Sequence, residues 1–235
     1  MLIQQCQYEE QGLGFTRQVA LILAELSSIL KKNNEEIVDQ VNIKVSVGVQ
    51  ILPEIAKLNA LQLLCENLIK CYSPSCSKFP KFIALTSNRY YTSGEPELNL
   101  IRQSLQCFAF EVANIKNIEI SAFNGEEKSQ RISQNIIALL EEESKFKEIK
   151  NSFVGAYHIE KLSDDFAKES WKIFQEIENM GGYETAVNNG TIDSWIKEDN
   201  TKEIALFSSK EKALVGVNKY IKKENLKVYP IEKQL

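Results

Sequence analysis

The residue types that most often carry metal or nucleophilic chemistry are sparse in this chain. Its 235 residues include five cysteines and a single histidine, His158. Cys71 and Cys76 flank a Ser-Pro-Ser turn, but a tetrahedral zinc site needs further ligands nearby and the sequence offers none. An odd cysteine count in a chain of this length also argues against a disulfide framework. The sequence therefore predicts reduced, buried thiols, no metal site, and His158 as an ordinary surface or packing residue.

The glycines of QGLGF do not predict a nucleotide-binding loop. Gly12 and Gly14 have the first spacing of the dinucleotide fingerprint, but the third glycine that the pattern requires is missing. The formal net charge is −4, with both signs scattered along the chain. A phosphate backbone demands a basic stripe, so no nucleic-acid partner is expected.

Targeting signals are also missing from the sequence. The start, MLIQQCQYEEQG, has neither a basic region nor a long apolar core, which predicts no signal peptide. No apolar run approaches the roughly 20 residues that a membrane-spanning helix needs. These patterns predict a cytoplasmic protein without a membrane partner.

Alternating strand and helix patterns occupy the first 150 residues. Apolar residues recur at helical spacing in four segments, which contain 15–30, 55–69, 98–112 and 132–140. Short runs rich in β-branched and aromatic residues precede them, and these predict strands at 43–49, 82–87 and 118–123, with a weaker strand at 2–8. Repeated strand–helix units imply a parallel sheet with right-handed crossovers. The predicted class is α/β.

The pattern changes after Glu143. A charge-rich stretch leads into 152–160, where a short extended piece is expected. Ser163 is a suitable N-cap for a helix that ends at the glycine pair 181–182, because glycine readily adopts the left-handed stop conformation. A shorter helix is expected at 183–190, and 204–220 with the Lys-rich end is expected to be irregular or partly extended. We therefore divide the chain into 1–150 and a helical extension and linker, 151–235.

Several of these segments, taken in their order, resemble methylmalonyl-CoA mutases. They cover nearly the whole chain and are specific as a set. The segments are SVGVQILPEIAKLNALQLL (46–64), TSNRYYTSGEPELNLIRQSLQ (86–106), NIIALLEEES (135–144), GAYHIEKLSDDFAKESWKIFQEIENMGG (155–182) and VGVNKY (215–220).

The resemblance implies a partial (β/α)8 barrel. In that family the barrel threads coenzyme A along its axis. Adenosylcobalamin sits at the carboxyl ends of the strands, bound largely by a separate C-terminal domain. This chain resembles the second half of the barrel, about four βα units, and the following linker. The family's Asp-x-His-x-x-Gly cobalt-ligand motif is missing, so no cofactor is expected to be bound by this chain itself.

The resemblance also implies that the catalytic positions have changed. Gln7 stands where active members have a histidine that donates a hydrogen bond to the substrate carbonyl. Gln40 and Asn42 stand where an arginine and a serine contact coenzyme A. Leu85 replaces a polar residue at the end of the third strand. Gly125, after Asn124, replaces an acidic residue that faces the adenosyl group.

A retained scaffold with altered strand ends implies a non-catalytic chain like the family's small (beta) subunit. Such a chain would support a catalytic, adenosylcobalamin-dependent subunit that interconverts methylmalonyl-CoA and succinyl-CoA. No acidic or imidazole side chain is then expected at the mouth of the barrel. Three alternatives remain open: an active acyl-CoA carbon-skeleton isomerase subunit, a truncated gene product without an independent role, and an unrelated α/β protein.

The expected partners follow from the incomplete barrel. Four parallel strands leave two unpaired edges, and unpaired edges favour association. We therefore expect either a heterodimer with a catalytic large mutase subunit or self-association through the open sheet edges.

Overall fold

A parallel sheet of four strands forms the centre of the molecule. The computed structural model describes residues 1–33, 35–146 and 155–221. The strands are β1 (Leu2–Gln4), β2 (Asn42–Val47), β3 (Lys81–Thr86) and β4 (Asn117–Glu119). They lie side by side in chain order, and every neighbouring pair is parallel. This confirms the predicted α/β class and the partial barrel, although β1 and β4 are shorter than the sequence patterns suggested.

Helices connect the strands and continue beyond them. Those within the strand–helix repeats are α1 (Cys6–Glu10), α2 (Phe15–Lys32), α3 (Ile51–Tyr72), α4 (Glu97–Val112) and α5 (Glu127–Ala138). A short 3-10 helix (Glu35–Gln40) precedes β2, and a π-helical turn (Leu139–Glu143) extends α5. The extension contains α6 (Tyr157–Asn179), α7 (Tyr183–Asn188) and α8 (Thr191–Ser208).

One face of the sheet carries the hydrophobic core. Ile3, Ile43 and Phe82 stand in register on neighbouring strands, so they point to the same face, and all three are buried. Helices α2 and α3 cover this face with aliphatic side chains such as Leu23 and Leu61. Burial of these side chains is the main source of stability in the fold.

The opposite face of the sheet, which we call the concave face, is mostly polar. Gln4, Lys44 and Asn117 stand on it in β1, β2 and β4, with Ile83 of β3 between the last two. Two residues further along, Ser46 and Glu119 stand on either side of Leu85. Parallel sheets usually have both faces covered by apolar layers. The polar composition therefore distinguishes this face from a packed barrel interior.

Helix α6 packs against α2 and α3 and shares their core. Phe174 and Ile177 of α6 are buried in the same cluster as the sheet residues. The expected N-cap at Ser163 is wrong, because α6 begins six residues earlier and Ser163 lies inside it, donating a hydrogen bond to the Ile159 carbonyl (2.8 Å). A serine that bonds back to the preceding turn does not stop a helix. The division of the chain at residue 150 stays a prediction.

Helix α8 corrects a second prediction, because residues 204–208 are helical rather than extended. The helix starts after Gly190, which adopts the left-handed conformation (φ 76°). Only Ile192 and Asn200 are buried in it. Without a continuous apolar stripe the sequence pattern gave no helical signal.

Parts of three expectations lie outside the described residues. They are the charge-rich stretch from 147 to 151, residues 152–154 of the expected extended piece, and the Lys-rich end from 222 to 235. The extended piece is wrong for 157–160, because α6 begins at Tyr157. Across the parts of the chain that the structure does describe, no helix is both long and apolar enough to cross a bilayer.

Candidate functional site: a charged cleft at the carboxyl ends of the strands

The carboxyl ends of β2 and β3 are held at a fixed spacing by α4. Gln106, which is buried, donates hydrogen bonds from its amide to the carbonyls of Val47 and Ser87 (both 2.9 Å). Val47 is the last paired residue of β2, and its carbonyl also accepts from the backbone N–H of Ser87 (3.3 Å), so Gln106 reinforces a contact between the two strand ends. In barrels this end of the sheet is where functional residues gather.

Three buried charged residues, which we call the buried triad, lie beside this end of β2. The triad consists of Glu9 from α1 with Glu54 and Lys57 from α3. The Lys57 Nζ lies 2.6 Å from Glu54 Oε2 and 3.5 Å from Glu9 Oε2, and each of the three side chains is at most 5% exposed. Lys57 also donates to the Ser46 carbonyl (2.8 Å). One ammonium group thus forms ion pairs with two carboxylates in a site shielded from water.

Hydrogen bonds hold the two carboxylates in place. Gln18 donates its amide to Glu9 Oε2 (2.7 Å), and the backbone N–H of Gly48 donates to Glu54 Oε1 (2.6 Å). Space around Gly48 is tight, since a Cβ there would lie 3.0 Å from side-chain atoms of Glu9, Glu54 and Tyr90, which would have to shift. The glycine therefore lets the loop after β2 sit directly against both carboxylates.

Burial and charge shift the pKa values of the buried triad. Desolvation raises the pKa of Glu54 to about 7, and the charge of Glu9 adds to this rise while Lys57 opposes it. For Lys57, burial lowers the pKa, but the two carboxylates outweigh burial and the net direction is upward. Lys57 therefore stays charged, and Glu54 exchanges its proton near neutral pH.

A second set of charged residues, the rim triad, lies at the outer edge of the same region. It consists of Arg89 from the loop after β3, Glu203 from α8, and Lys212 from the segment after α8. Arg89 Nη2 donates to Glu203 Oε2 (2.6 Å), Lys212 pairs with Glu203 Oε1, and Tyr90 OH donates to that same oxygen (2.7 Å). In the rim triad one carboxylate forms ion pairs with two cations.

The pKa of Glu203 moves opposite to that of Glu54. Burial raises it, but hydrogen bonds from Lys212 and Arg89 together exceed that effect, and the net direction is downward. Tyr90 keeps its proton because burial and nearby carboxylates raise the pKa of its phenol well above the ordinary value. Glu203 is therefore a stable anion at neutral pH.

Glycine also explains how Arg89 reaches the helical extension. A Cβ on Gly12 would lie 2.2 Å from the guanidinium of Arg89 and 2.3 Å from Asn200, and the residue has a φ of +81°. Arg89 Nη1 donates to the Glu10 carbonyl (2.9 Å), while Asn200 accepts from Arg89 Nη2 (2.5 Å) and donates to the Gln11 carbonyl (2.6 Å). The Gly12 turn therefore lets α8 rest against the carboxyl ends of the strands.

A cleft of about 220 Å³ lies between the two triads. Glu9 forms part of its inner wall and Arg89, Glu203 and Lys212 part of its rim. Phe15 and Tyr90 contribute aromatic surface. A larger cleft of about 430 Å³ lies on the outer surface between α3, α4 and α6, but its acidic residues, Glu160 and Asp164, are exposed and belong to no buried cluster.

The structure does not bring together the residues that the sequence singled out. Gln7 is exposed on α1, three residues after the last residue of β1. Gln40 and Asn42 lie at the opposite, amino end of β2, where the Gln40 carbonyl accepts from the N-terminus of Met1 (2.8 Å). Leu85 is within β3 on the concave face, and Gly125 is exposed in the loop after β4. His158 is exposed in the first turn of α6.

Sequence reasoning missed the residues that do converge. The expectation of no acidic side chain at the mouth is wrong, because Glu9 and Glu203 both line the cleft. One signal was available: Glu54 and Lys57 are three residues apart in the predicted helix, a spacing that places their side chains on one face. Groups of three or more Cys, His, Asp or Glu with a metal-binding arrangement do not occur in the described ranges.

Comparison with known proteins identifies the scaffold. The sequence profile of methylmalonyl-CoA mutase matches residues 7–234. The chain is 24% identical over 225 residues to the mutase of Rhizobium meliloti (strain 1021), covering 90% of this chain and 32% of that protein. It is equally identical, 24% over 225 residues, to the small subunit from Porphyromonas gingivalis (strain ATCC BAA-308 / W83), covering 90% of this chain and 36% of the subunit.

A mammalian relative gives the same assignment. The mitochondrial mutase of Bos taurus is 31% identical over 196 residues, which cover 79% of this chain and 26% of the relative. The chain thus spans roughly a third or less of the length of the relatives it matches. With the parallel half-barrel sheet and a profile match over nearly every residue, the chain belongs to the methylmalonyl-CoA mutase family.

Proposed function

We propose that this chain is a non-catalytic scaffold like a mutase small subunit. In this role it supplies part of a (β/α)8 barrel to a cytoplasmic complex whose catalytic subunit interconverts methylmalonyl-CoA and succinyl-CoA. Its contribution is interface and framework, and the chemistry belongs to the partner. The profile match and the similarity to a small subunit support this assignment.

The observation that carries the proposal is an ion pair on the concave face. Lys44 on β2 pairs with Glu119 on β4, so the two side chains meet across the intervening strand β3. Leu85 stands on the same face of β3. If further strands close a barrel, these side chains occupy the space through which an acyl-CoA would have to pass. A tunnel for a long thioester needs small side chains at such positions.

The strand ends support the same conclusion. Leu85 and Gly125 offer no proton donor or acceptor side chain. Glu9 does line the cleft, but its Oε2 is already bound by Gln18 and paired with Lys57. A carboxylate held in a structural ion cluster is poorly suited to substrate chemistry.

The residues present do not fit adenosylcobalamin. Helix α8 lies against the carboxyl ends of the strands, held by Arg89 and by Asp199, which accepts from the backbone N–H of Gly14 (2.8 Å). The remaining cleft of about 220 Å³ is far too small for a corrin macrocycle. The single histidine, His158, lies on an exposed helical turn distant in sequence from every strand end. We therefore assign no step through this cofactor to the chain.

The partner completes the sheet. The two outer strands, β1 and β4, each have one hydrogen-bonded neighbour, which leaves one edge of each strand without a neighbour among the described residues. Either a large mutase subunit or a second copy of this chain would cover these edges and the concave face. A mutase large subunit from Porphyromonas gingivalis is also similar, 27% identical over 185 residues, which cover 74% of this chain and 26% of that subunit, so the two subunit types share this scaffold.

Co-expression with the catalytic mutase chain of the same genome tests the proposal. The two chains should purify as one complex, and the complex should turn over methylmalonyl-CoA with adenosylcobalamin. Deletion of this chain should lower the amount of folded catalytic subunit. A well-behaved monomer that never joins the complex would support the alternative of a truncated product instead.

One observation favours a second candidate, an active isomerase subunit. Glu9 is an acidic side chain with one oxygen facing a cleft at the carboxyl ends of the strands, where barrel enzymes place catalytic groups. Under this alternative the chain would show turnover when a cobalamin-binding partner with an inactivated site of its own is supplied. No turnover in that assay rejects the second candidate.

A further inference from the structure

The cleft joins two charge clusters of opposite excess. The buried triad has two carboxylates for one ammonium group, and the rim triad has two cations for one carboxylate. Both triads contribute side chains to the lining of the same cleft. The cleft therefore has a negative inner wall and a positive rim.

The other charges of the cleft balance each other. Asp199 and Lys202 line it, and Asp199 is paired with Arg17 while Lys202 is paired with Glu198. Glu198 also pairs with Arg17 (2.7 Å), so these four residues form a neutral set. The excess charges of the two triads are not cancelled by this set.

Glu9 offers a free acceptor on the inner wall. Its Oε2 is taken by Gln18 and Lys57, whereas Oε1 accepts no hydrogen bond from the described part of the chain. The residue is only 4% exposed, so this oxygen meets solvent only through the cleft. Glu10, the next carboxyl group in sequence, accepts from the backbone N–H of Asn88 (3.0 Å) and does not line the cleft.

Lys212 offers a cation at the rim. Its Nζ pairs with Glu203, lies 3.3 Å from Tyr90 OH, and sits 4.9 Å from the centre of the Tyr90 ring. An ammonium group has three donors, so it can bind a further anion without leaving Glu203. Tyr90 is close to both charges, because Lys212 contacts its ring and the charge of Glu9 contributes to the raised pKa of its phenol.

From these features we infer that the cleft is a binding site for a small amino acid-like zwitterion. The ligand's ammonium group is bound by Glu9 Oε1, and its carboxylate is bound by Lys212. Phe15 and Tyr90 contact the few carbons between them, and the volume of about 220 Å³ limits the ligand to a small molecule. This inference goes beyond the scaffold role and does not depend on it.

Titration calorimetry of the full chain with matched ligands tests the inference. The amino acids are glycine, β-alanine and 4-aminobutanoate, and the single-charge controls are propionate and propylamine. We expect the best amino acid to bind at least tenfold more tightly than either control. Equal binding of propionate, equal binding of propylamine, or no saturable binding of any amino acid at millimolar concentration would overturn the inference.

Variants identify the two contacts. Glu9→Gln and Lys212→Gln should each weaken binding of the best amino acid at least tenfold, because each removes one charge that the ligand matches. Glu66→Gln changes an exposed residue paired only with Lys70 and should leave binding unchanged. Lys212 lies outside the core helices, so its variant keeps the test decisive if Glu9→Gln fails to fold. Folded variants that bind normally would contradict the inference.

Discussion

The buried triad and the rim triad use the same residue chemistry with opposite results. In the buried triad, Glu54 has a raised pKa chiefly because it is removed from water, and the charge of Glu9 adds to the rise while Lys57 opposes it. In the rim triad, Glu203 has a lowered pKa because two cations share one carboxylate. The comparison shows that the ratio of charges, together with burial, decides whether a carboxyl group holds a proton.

The triads also differ in what they connect. The buried triad joins α1 to α3 within the strand–helix repeats, between residues 9 and 57. The rim triad joins the loop after β3 to the extension, between residues 89 and 212. We therefore expect the buried triad to control global stability and the rim triad to control the attachment of α8.

The largest effect should come from Lys57→Met. The substitution leaves Glu9 and Glu54 buried without a cation, and loss of one member of a buried ion pair costs about 3–5 kcal/mol. Chemical denaturation of the variant gives the change in the free energy of unfolding. Lys70→Met, which removes an exposed ion pair with Glu66, should cost less than about 1 kcal/mol. If both variants lose the same free energy of unfolding, the buried triad does not control global stability.

Glu54→Gln should flatten the dependence of stability on pH. The folded pKa of about 7 lies above the value of 4.5 expected for an unperturbed glutamate. The folded state therefore binds the proton more tightly, and its stability falls as pH rises from about 4.5 to 7. Urea denaturation should show a loss of up to about 3 kcal/mol across this range in the wild type and much less in Glu54→Gln. A stability that rises with pH in both proteins would contradict the assignment.

Glu203→Gln should release the end of α8 with a smaller cost. The change leaves Arg89 and Lys212 without their shared anion, which we expect to lower the free energy of unfolding by about 2 kcal/mol. Hydrogen exchange should become faster at residues 200–208 and stay unchanged in α3. Uniform exchange throughout the chain would show that α8 is not a separately held element.

The smallest effect should come from Glu198→Gln. Glu198 and its partner Lys202 are exposed, and its other partner, Arg17, keeps Asp199 as a counter-ion when Glu198 is changed. Exposed ion pairs contribute little to stability, because water and salt screen them. The expected change in thermal unfolding is therefore close to zero, and a change as large as that of Glu203→Gln would remove the distinction between the rim triad and ordinary surface pairs.

The sequence predicted the sheet and the helices that cover it, because their burial leaves a periodic signal. Segments 43–49 and 82–87 became β2 and β3, and the apolar repeats at 15–30 and 55–69 became α2 and α3. Helix α8 was missed since polar contacts such as those of Asn200 hold it, and polar contacts leave no period in the sequence.

The site was less predictable than the fold. Its residues come from positions 9, 54, 57, 89, 203 and 212, and only tertiary folding brings them together. The positions carried over by resemblance, such as Gln7 and Gly125, are exposed in this structure and do not meet. Residue-by-residue comparison with a family finds what has changed, but it cannot show which new contacts have formed.

The central claim is that this chain contributes framework and binds no acyl-CoA. The most direct test is the number of methylmalonyl-CoA molecules bound per complex of this chain with the catalytic subunit, measured by equilibrium dialysis without adenosylcobalamin. We predict one molecule per catalytic subunit, the same as for the catalytic subunit alone. Additional saturable binding, one more molecule for each copy of this chain, would contradict the claim.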